Sequence, residues 1–573
     1  MSNTQLEKKE PEATERPAAG SVVTLAQPEE KAPKDFRFWM IFVCLLIATF
    51  LAALDLTAIS TALPTIAGAL HSEDFAWIGN AYSITSTAFI PWAGGAAHIF
   101  GRRPILLLGL LFFFVGSAMC GASTTMSLML AGRAFQGVGS GVILSLVEIV
   151  LADLVPLAER GAFQGAFGAV WALASATGPV IGGALAAANW HWLFYLNLPL
   201  TAIVIVIVGI FLNLRTPEEE GGWKAKVKRM DWLGNGIFIP SITLLILGLV
   251  WGGQTYAWSD AHVVAPLVIG AVGLIVWFFL EKYVVEHPTV PFALMTNATT
   301  FIGFATTFIQ AIAALGLFFY WPVYFQAGKG VGTVTSAIDF FSVAFIVAPC
   351  AMLAGGTISA TQVYKPQNVI AWILMTLGPG LLSLVKIDSS KAMWVALPIP
   401  WSAGIGLLFA ATTFPVLAPL PPSLAGQALA FLVFVRNFGN VLGITVGSTT
   451  LTNTLAKKLP AEFIAQLPGG VASAYSAIPS IGALYISLHY FLLYSISLTL
   501  WDSAEPLQTQ VRTAFAESTR VIWLVLIPFG GVGLLFAVFM RQIKLETVTD
   551  ETWGMAHREK KVEIEDGAVA IGA

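Results

Sequence analysis

Apolar segments about twenty residues long recur through most of the chain, and each is long enough to cross a lipid bilayer as a helix. A spanning helix needs about 20 mainly apolar residues, because its backbone polar groups must be satisfied internally where no water is available. We predict fourteen spans, near residues 38–62, 77–97, 104–122, 127–150, 162–187, 192–212, 232–252, 263–281, 300–325, 337–360, 368–386, 392–414, 424–450 and 520–540. The pattern indicates an all-α polytopic membrane protein.

The composition supports this fold class. Of 573 residues, 56% are hydrophobic and 11% are charged, whereas soluble domains carry about a quarter charged residues. The net charge of -3 is too small to favour nucleic acid as a partner. The three cysteines lie inside apolar segments without metal-ligand spacing. We therefore predict neither a metal site nor a cofactor.

The spans are grouped as six, two and six, and polar segments separate the groups. We predict a disordered cytosolic N-tail and a cytosolic C-tail, with a cytosolic loop after the first six spans. The predicted regions are the N-tail 1–37, the N-terminal six-helix bundle 38–212, the loop 213–231, two extra spanning helices 232–284, the C-terminal six-helix bundle 285–541 with an outer loop at 451–519, and the C-tail 542–573.

Basic residues are concentrated in alternate loops, which sets the orientation. Loops rich in Lys and Arg stay on the cytosolic side. With the N-tail inside, Arg102, Arg103 and the cluster at 215–229 all fall in the cytosol, whereas the outer loops 123–127 and 254–262 carry no Lys or Arg. Both termini are therefore predicted to be cytosolic.

Four ionisable residues lie deep in the predicted spans: Asp55, Arg133, Glu148 and Arg436. Each costs about 2.5–3.5 kcal/mol at a helix centre on insertion scales, so such residues normally face a bundle interior or a water-filled pathway. We predict that Asp55 and Arg133 face such an interior or pathway. The alternative is a buried ion pair or capping group with a structural role alone. Glu148, near the cytosolic end of its span, could instead reach water.

Glycines follow both of these arginines, Arg133 and Arg436, at helical spacing. The chain reads LAGRAFQGVGSG around Arg133 and FVRNFGNVLG around Arg436. Small residues of this kind let membrane helices approach closely. The similarity between the two segments predicts an internal repeat, which many transporter folds contain.

The fifth span contains a third glycine-rich segment, GAFGAVWALASATGPVIGG at 165–183. Gly178 and Pro179 permit a bend and free a backbone carbonyl, while Gly182 and Gly183 remove side chains that would oppose close packing. The alternative is a kinked helix with a structural role alone.

Four motifs, in this order, resemble signatures of the major facilitator superfamily, in its fourteen-helix drug:proton antiporter branch of fungal type. They are LDLTAISTALP in the first span, GGAAHIFGRRP after the second, LAGRAFQGVGSG in the fourth and GPVIGG in the fifth. The resemblance extends over about residues 38–545. It implies the major facilitator fold: two six-helix bundles around a central cavity that opens alternately to either side, with two extra helices between them.

The resemblance also implies roles for individual residues. The proton and substrate pathway would include Asp55 and Arg133, to which we add Arg436 and Glu148 from their position in the spans. A cytosolic gating loop that latches the outward-facing state would include Gly94, His98, Gly101, Arg102 and Arg103. The antiporter motif, at the interface between the bundles, would include Gly165, Gly178, Pro179, Gly182 and Gly183.

One residue of the gating loop departs from the family pattern. An acidic residue usually precedes the glycine and basic pair, and His98 takes its place here. A latch in which this carboxylate bridges to an arginine and a helix end cannot form in the usual way. His98 would either substitute as a hydrogen-bonding partner or leave the latch weaker.

The predicted function is proton-driven export of small amphipathic organic compounds such as drugs, toxins or secondary metabolites. The alternatives are an importer of a siderophore, an organic acid or vacuolar basic amino acids, and a membrane nutrient sensor that transports nothing. No HExxH, GxSxG or P-loop motif is present in the sequence, which argues against an enzyme or an ATP-driven pump. We expect a monomer in the lipid bilayer, in the plasma membrane ahead of the vacuolar membrane.

A further apolar run, at 481–501, is not predicted to span. A fifteenth span would place the basic C-tail outside, against the positive-inside rule. Residues 485–503 look foreign to the family, and the residues at their ends are compatible with the splice signals of a short intron in frame. We predict that they are translated intron; the alternatives are a re-entrant segment or a helix on the membrane surface.

Overall fold

The computed structural model describes residues 34–70, 76–215, 222–253, 255–467, 470–475, 478, 481 and 507–547. Most of the predicted N-tail, the predicted intron product 485–503 and the C-tail beyond 547 lie outside the described residues. Within these ranges no strand is present, and one isolated bridge joins Gly252 to Tyr256. The chain is therefore all-α, as predicted.

We number the principal helices of the described residues α1 to α14, in chain order. The first group is α1 Phe36–Ala69, α2 Ala76–Phe100, α3 Arg102–Gly121, α4 Met126–Leu154, α5 Leu157–Asn189 and α6 Asn197–Phe211. The central pair is α7 Trp232–Trp251 and α8 Ala261–Tyr283. The last group is α9 Ala298–Val323, α10 Thr333–Thr361, α11 Lys365–Leu382, α12 Ile399–Ala411, α13 Ala425–Lys458 and α14 Leu507–Phe539.

Short helices extend or connect these elements. His191–Tyr195 precedes α6, Gly222–Arg229 lies in the loop before α7, and Lys391–Ala396 and Thr413–Leu417 flank α12. The segment Tyr324–Gly328 continues α9 as a π-helical turn. Asp231, Asp260 and Asn297 cap the N-termini of α7, α8 and α9 with their side chains, which satisfies backbone N–H groups at the first turns.

Twelve helices of the described residues are long and apolar enough to cross a membrane. The helices α2 and α11 are not among them, although they are 25 and 18 residues long. Polar residues of α2, such as Asn80 and Ser83, lower its hydropathy. The protein is therefore a multi-pass membrane protein, while the count of fourteen spans stays a prediction.

The outer region between α13 and α14 differs from the predicted loop 451–519. The helix α13 continues to Lys458, and α14 begins at Leu507 rather than near 520. Lys458 and Glu517 form an ion pair between these extensions. Apolar residues of α14 such as Val511 and Phe515 are buried, so packing rather than membrane insertion explains the extra turns.

The helices form two groups with separate buried clusters. One cluster lies among α1 to α6 and a second among α9 to α14. The groups meet where α5 packs along α10 and where α13 packs against α2 and α4. The central pair α7–α8 packs on itself and reaches the rest of the molecule through α2 and α13.

Close backbone approach joins the two groups near the ends that the basic residues predict to be cytosolic. A Cβ at Gly355 of α10 would lie 2.6 Å from the carbonyl carbon of Gly161 on α5. One turn further, a Cβ at Gly165 would lie 2.7 Å from the carbonyl oxygen of Ala351. Glycine is required at these contacts because any side chain would push α5 and α10 apart.

The segment after α14 adds a second connection on the same side. The amide of Ala158 donates to the carbonyl oxygen of Glu546 at 3.1 Å, and the hydroxyl of Tyr364 donates to the carbonyl oxygen of Arg541 at 2.7 Å. Burial raises the pKa of Tyr364 to about 12, so this hydroxyl remains a donor. Gln362 also donates to the carbonyl oxygen of Ala158 at 2.9 Å. The two groups are thus held together at this end of the described helices.

Candidate functional site

Asp55 lies in the middle of a buried hydrogen-bond network in the first helix group. It is 4% exposed and forms an ion pair with Arg133 of α4. Its other oxygen accepts hydrogen bonds from Gln136 at 2.7 Å and from Asn197 of α6 at 3.0 Å. Three donors from two other helices therefore hold this carboxylate.

The guanidinium of Arg133 is fully buried and contacts several groups besides Asp55. Nε donates to the carbonyl oxygen of Ile78 at 2.9 Å, and Nη1 donates to Gln136 Oε1 at 2.7 Å. The group lies 4.4 Å from the centre of the Tyr82 ring, within the range of a cation–π interaction. Arg133 thus links α1, α2 and α4.

Sequence reasoning did not identify the amides that complete this network. Gln136 follows Arg133 by three residues, a spacing that places both on one helix face. Asn197 lies in the segment NWHWLFYLNLP, where the sequence predicts no role for it. A search for amides at i+3 from a buried charge would have found Gln136, whereas Asn197 required the tertiary structure.

Glu148 is buried rather than open to cytosolic water. It is 6% exposed and accepts a hydrogen bond from Gln164 of α5. Its other oxygen lies 3.9 Å from Arg436 Nη1 on α13. The alternative that Glu148 simply reaches water is therefore contradicted, because the neighbouring helices α5 and α13 cover it.

The ion pair with Glu148 uses only part of the hydrogen-bonding capacity of the Arg436 guanidinium. Its side chain is 13% exposed, and its guanidinium lies 4.8 Å from the centre of the Phe409 ring. Nε and Nη2 are buried without a hydrogen-bond partner. A buried cation with unused donors has free capacity for an anionic or polar group.

Arg133 and Arg436 do not occupy equivalent positions in the two groups. Arg133 lies on α4, the fourth helix of the first group, and Arg436 lies on α13, the fifth helix of the last group. Their similar glycine-rich surroundings reflect close packing of each helix, since Gly139 approaches Phe113 and Gly443 approaches Ile312. The prediction that these two segments are equivalent parts of an internal repeat is therefore wrong, because they lie on helices at different positions of the two groups.

Three adjoining cavities lie between the two groups and share Trp171 and Leu315 as lining residues. The largest has a volume of about 190 Å³ and is lined mainly by apolar side chains, with Thr57, Thr61 and Gln326 among the polar ones. A second, of about 60 Å³, is lined by the Glu148–Arg436 pair together with Gln310, Asn437 and Asn440. The third, of about 30 Å³, is bordered by Tyr82 and Ser140.

These cavities have the character of a site for a small organic molecule, apolar with a few converging polar groups. Within the parts of the chain that the structure describes, no group of three or more His, Cys, Asp or Glu residues could hold a metal ion.

In the predicted gating loop, Arg102 forms its ion pair with a residue that the sequence motif did not indicate. Arg102 Nε lies 2.8 Å from Asp153 Oδ2 at the end of α4, and both side chains are buried. Nη1 donates to the carbonyl oxygen of Ala97 at 3.1 Å. His98 is exposed in the last turn of α2, so Asp153 supplies the carboxylate that position 98 lacks.

The remaining residues of the loop fix its shape. Gly101 has a φ of 98°, a conformation that favours glycine. Arg103 donates to the carbonyl oxygen of Gly209 on α6. Gly94 of α2 faces Ala430 of α13, so this helix end lies against the other group.

The predicted antiporter motif is divided between two interfaces. Gly165 packs against α10 of the other group, as described above. Gly178 and Gly182 instead pack on α1, where a Cβ would lie 2.9 Å from Thr57 Cβ and 2.8 Å from the carbonyl carbon of Ala58. Pro179 lines the largest cavity, and Gly183 is partly buried. The expectation that GPVIGG lies at the interface between bundles is therefore corrected: its two buried glycines bind α5 to α1.

Comparison with known proteins agrees with this architecture. The family model described as Major Facilitator Superfamily matches residues 45–444. The chain is similar to a protein named efflux pump FUS6 of Gibberella fujikuroi, at 35% identity over 94% of this chain and 95% of the relative. It is also similar to an acurin A biosynthesis cluster MFS-type transporter of Aspergillus aculeatus, at 33% identity over 92% of this chain and 94% of the relative.

A solved structure shares the fold. The crystal structure of the human organic anion transporter MFSD10 superposes with a TM-score of 0.51 at 13% identity, covering 86% of this chain and 99% of that one. Together with the family match and the identities above, the helical architecture shows that this chain belongs to the major facilitator superfamily.

Proposed function

We propose that this chain is a secondary transporter that exports small amphipathic organic compounds, in particular secondary metabolites, and that protons drive the export. The observation that carries the proposal is the central cavity of about 190 Å³, whose neighbouring cavity contains the buried Glu148–Arg436 pair. The relatives named as an efflux pump and as a biosynthesis-cluster transporter support export rather than import or sensing.

The cavity lining fits an amphipathic substrate. Leu56, Phe318 and Phe340 offer apolar surface, while Thr61 and Gln326 offer hydrogen bonds. Flat or aliphatic parts of a substrate would leave water by contacting the first set, and a single polar group would be oriented by the second. Such a lining favours selection by shape and polarity over recognition of one defined headgroup.

Glu148 is the group that we propose to carry the coupled proton. Asp55 is held by Arg133 and two amides and lines none of the three cavities, whereas Glu148 lines the cavity of about 60 Å³ and has a cation at 3.9 Å. Protonation of Glu148 would neutralise its side of the pair and leave Arg436 free. Because α4 and α13 belong to different groups, this change would alter the contact between them.

For Asp55 and Arg133 we propose a structural role: they form a buried network that stabilises the helices around the transport pathway. Their network joins α1, α2, α4 and α6, so it keeps the first group rigid while the groups move relative to each other. The gradient that drives such movement supplies about 2.3 kcal/mol per charge for each 100 mV.

The cytosolic contacts would close the cavity on that side in the outward-facing state. They comprise the Gly161–Gly355 approach, the Arg102–Asp153 pair and the segment 541–546. We further propose that the protein acts as a monomer in the plasma membrane, with the vacuolar membrane as the second candidate.

The test uses purified protein in liposomes loaded with ethidium, an amphipathic fluorescent cation. With the sidedness fixed, an imposed proton gradient should accelerate ethidium movement against the proton flow, and a protonophore should abolish the effect. Competition by a panel of aromatic metabolites would then rank candidate substrates. Movement of ethidium and of every competitor at a rate that does not depend on the gradient would contradict proton coupling.

A further inference from the structure

The cavity of about 60 Å³ beside the Glu148–Arg436 pair is lined by unused hydrogen-bonding atoms of both kinds. Among the residues that the structure describes, Arg436 Nε and Nη2 have no acceptor, and Gln310 Oε1 has no donor. Gln310 of α9 is 3% exposed, so bulk water does not reach its amide. Leaving a buried polar atom unpaired costs free energy, and a bound group that pairs with it removes this cost.

Tight helix packing fixes the positions of these two side chains. Gln310 lies on α9 and Arg436 on α13, and the two helices pack against each other. A Cβ at Gly439 of α13 would lie 2.6 Å from the carbonyl oxygen of Phe308 on α9. The donors of Arg436 and the acceptor of Gln310 are therefore preorganised for one bound group, which lowers the entropy cost of binding.

The charges around the cavity favour an uncharged group. Glu148 and Arg436 are the ionisable residues among the described side chains that line it. Their opposite charges lie 3.9 Å apart and balance each other. A carboxylate of a ligand would add an unbalanced negative charge next to Glu148, and an ammonium group would lie next to the Arg436 cation.

An amide that retains an N–H supplies both of the missing partners. Its carbonyl oxygen accepts from a guanidinium, and its N–H donates to a side-chain oxygen. The cavity shares Trp171, Leu315 and Phe318 with the largest cavity. A ligand with an amide at one end can therefore place its apolar part against the lining of the larger space.

We propose that Arg436 and Gln310 select substrates that carry an uncharged amide, with the carbonyl oxygen bound by Arg436 and the N–H bound by Gln310 Oε1. The inference names a substrate class for the transporter proposed above and rests on that function, because the substrate must enter the space between the helix groups. Water that fills the cavity in the absence of a substrate would be replaced by a group that reproduces its hydrogen bonds.

The experiment compares three probes of nearly equal shape by isothermal titration calorimetry of the purified full-length protein in detergent. 2-Naphthamide has both the acceptor and the donor, 2-acetylnaphthalene has a methyl group in place of the NH₂, and 2-naphthoate has a charged oxygen there. Wild type should bind 2-naphthamide about tenfold or more tightly than either analogue, because each analogue leaves a buried atom unpaired or brings in a charge.

Gln310→Leu separates recognition of the N–H from exclusion of the charge. This variant should lose the preference for 2-naphthamide over 2-acetylnaphthalene but keep the preference over 2-naphthoate, since Glu148 is still present. Gln367→Leu is the matched control: Gln367 Oε1 is also buried without a partner among the described residues, but Gln367 lines none of the three cavities. It should keep both preferences.

Several results would overturn the proposal. They are wild-type binding of 2-acetylnaphthalene as tight as that of 2-naphthamide, tighter binding of 2-naphthoate, no binding of 2-naphthamide, or an unchanged preference in Gln310→Leu. If this variant does not fold, the wild-type series decides. Because calorimetry uses no gradient, ethidium movement that is independent of the gradient would contradict proton coupling alone, while a lost amide preference with intact coupling would contradict this inference alone.

Discussion

The carboxylate of Glu148 on α4 lies 3.9 Å from the guanidinium of Arg436 on α13, and this buried pair joins the two helix groups beside the central cavity. An ion pair across a movable interface is sensitive to protonation, because neutralising one partner removes the attraction.

Replacing Glu148 by Gln should reduce proton-driven efflux at least tenfold while the protein remains folded. The amide keeps the size of the side chain and its contact with Gln164, but it cannot take up or release a proton. Efflux from liposomes with and without a proton gradient measures the effect. Glu159→Gln is the control, because Glu159 forms a partly exposed pair with Lys34. Gradient-driven efflux at the wild-type rate in Glu148→Gln would show that Glu148 does not carry the coupled proton.

Replacing Arg133 by Ala should destabilise the protein more than replacing Asp55 by Asn. Loss of Arg133 leaves a buried carboxylate without its cation, which costs about 3–5 kcal/mol, whereas the amide oxygen introduced by Asp55→Asn would still accept from Gln136. The apparent melting temperature in detergent compares the two variants. The double variant Asp55→Asn with Arg133→Ala should recover part of the loss. Melting temperatures of both single variants equal to that of wild type would show that the pair contributes little.

Replacing Gly355 by Ala should disturb the cytosolic closure, and Gly356→Ala should not. A Cβ at Gly355 would meet the backbone of Gly161, whereas a Cβ at Gly356 has nothing within 4 Å. Separation of α5 and α10 should increase labelling of a cavity cysteine from the cytosolic side at least threefold. Similar labelling of the two variants would mean that this approach does not hold the entrance closed.

Replacing Asp153 by Asn should also favour the inward-open state, while His98→Asp should have a smaller effect. Asp153 already forms an ion pair with Arg102 at 2.8 Å. A new carboxylate at position 98 would therefore have to compete with Asp153 for this guanidinium. The ratio of cysteine labelling from the two sides of the membrane reports the change. A larger response to His98→Asp than to Asp153→Asn would show that the latch depends on the residue at position 98 and not on Asp153.

Deleting residues 485–503 should leave a folded and active protein, because we predict that they are translated intron. The segment itself lies outside the described residues. On either side of it, Gln508 donates to the carbonyl oxygen of Ile481 at 3.1 Å. Residues 482–484 and 504–506 would remain, and six residues can extend over about 20 Å, so the deletion does not stretch the chain.

Reading cDNA across this junction tests the intron directly. Spliced transcripts should lack the bases for these codons, and the deletion variant should match wild type in surface expression and efflux. Transcripts that all retain the segment would refute the intron, and an inactive deletion variant would indicate that the segment belongs to the transporter.

The sequence determined the parts of this protein that depend on local chemistry. Segment length and hydropathy predicted the positions of the helices, basic residues predicted their orientation, and motif order indicated the family. The cost of burying a charge in a bilayer singled out Asp55, Arg133, Glu148 and Arg436. Each of these properties is carried by residues that are neighbours in the chain.

Only the tertiary structure decided which residues meet. Asn197 reaches Asp55, Asp153 replaces the missing acid at His98, and Arg436 covers Glu148 from a helix almost three hundred residues away. The choice among such partners depends on how helices distant in sequence pack, and small residues such as Gly178 set how closely they approach. Hydropathy carries no information on that choice, because all these helices are apolar and differ mainly in the shape of their contact surfaces.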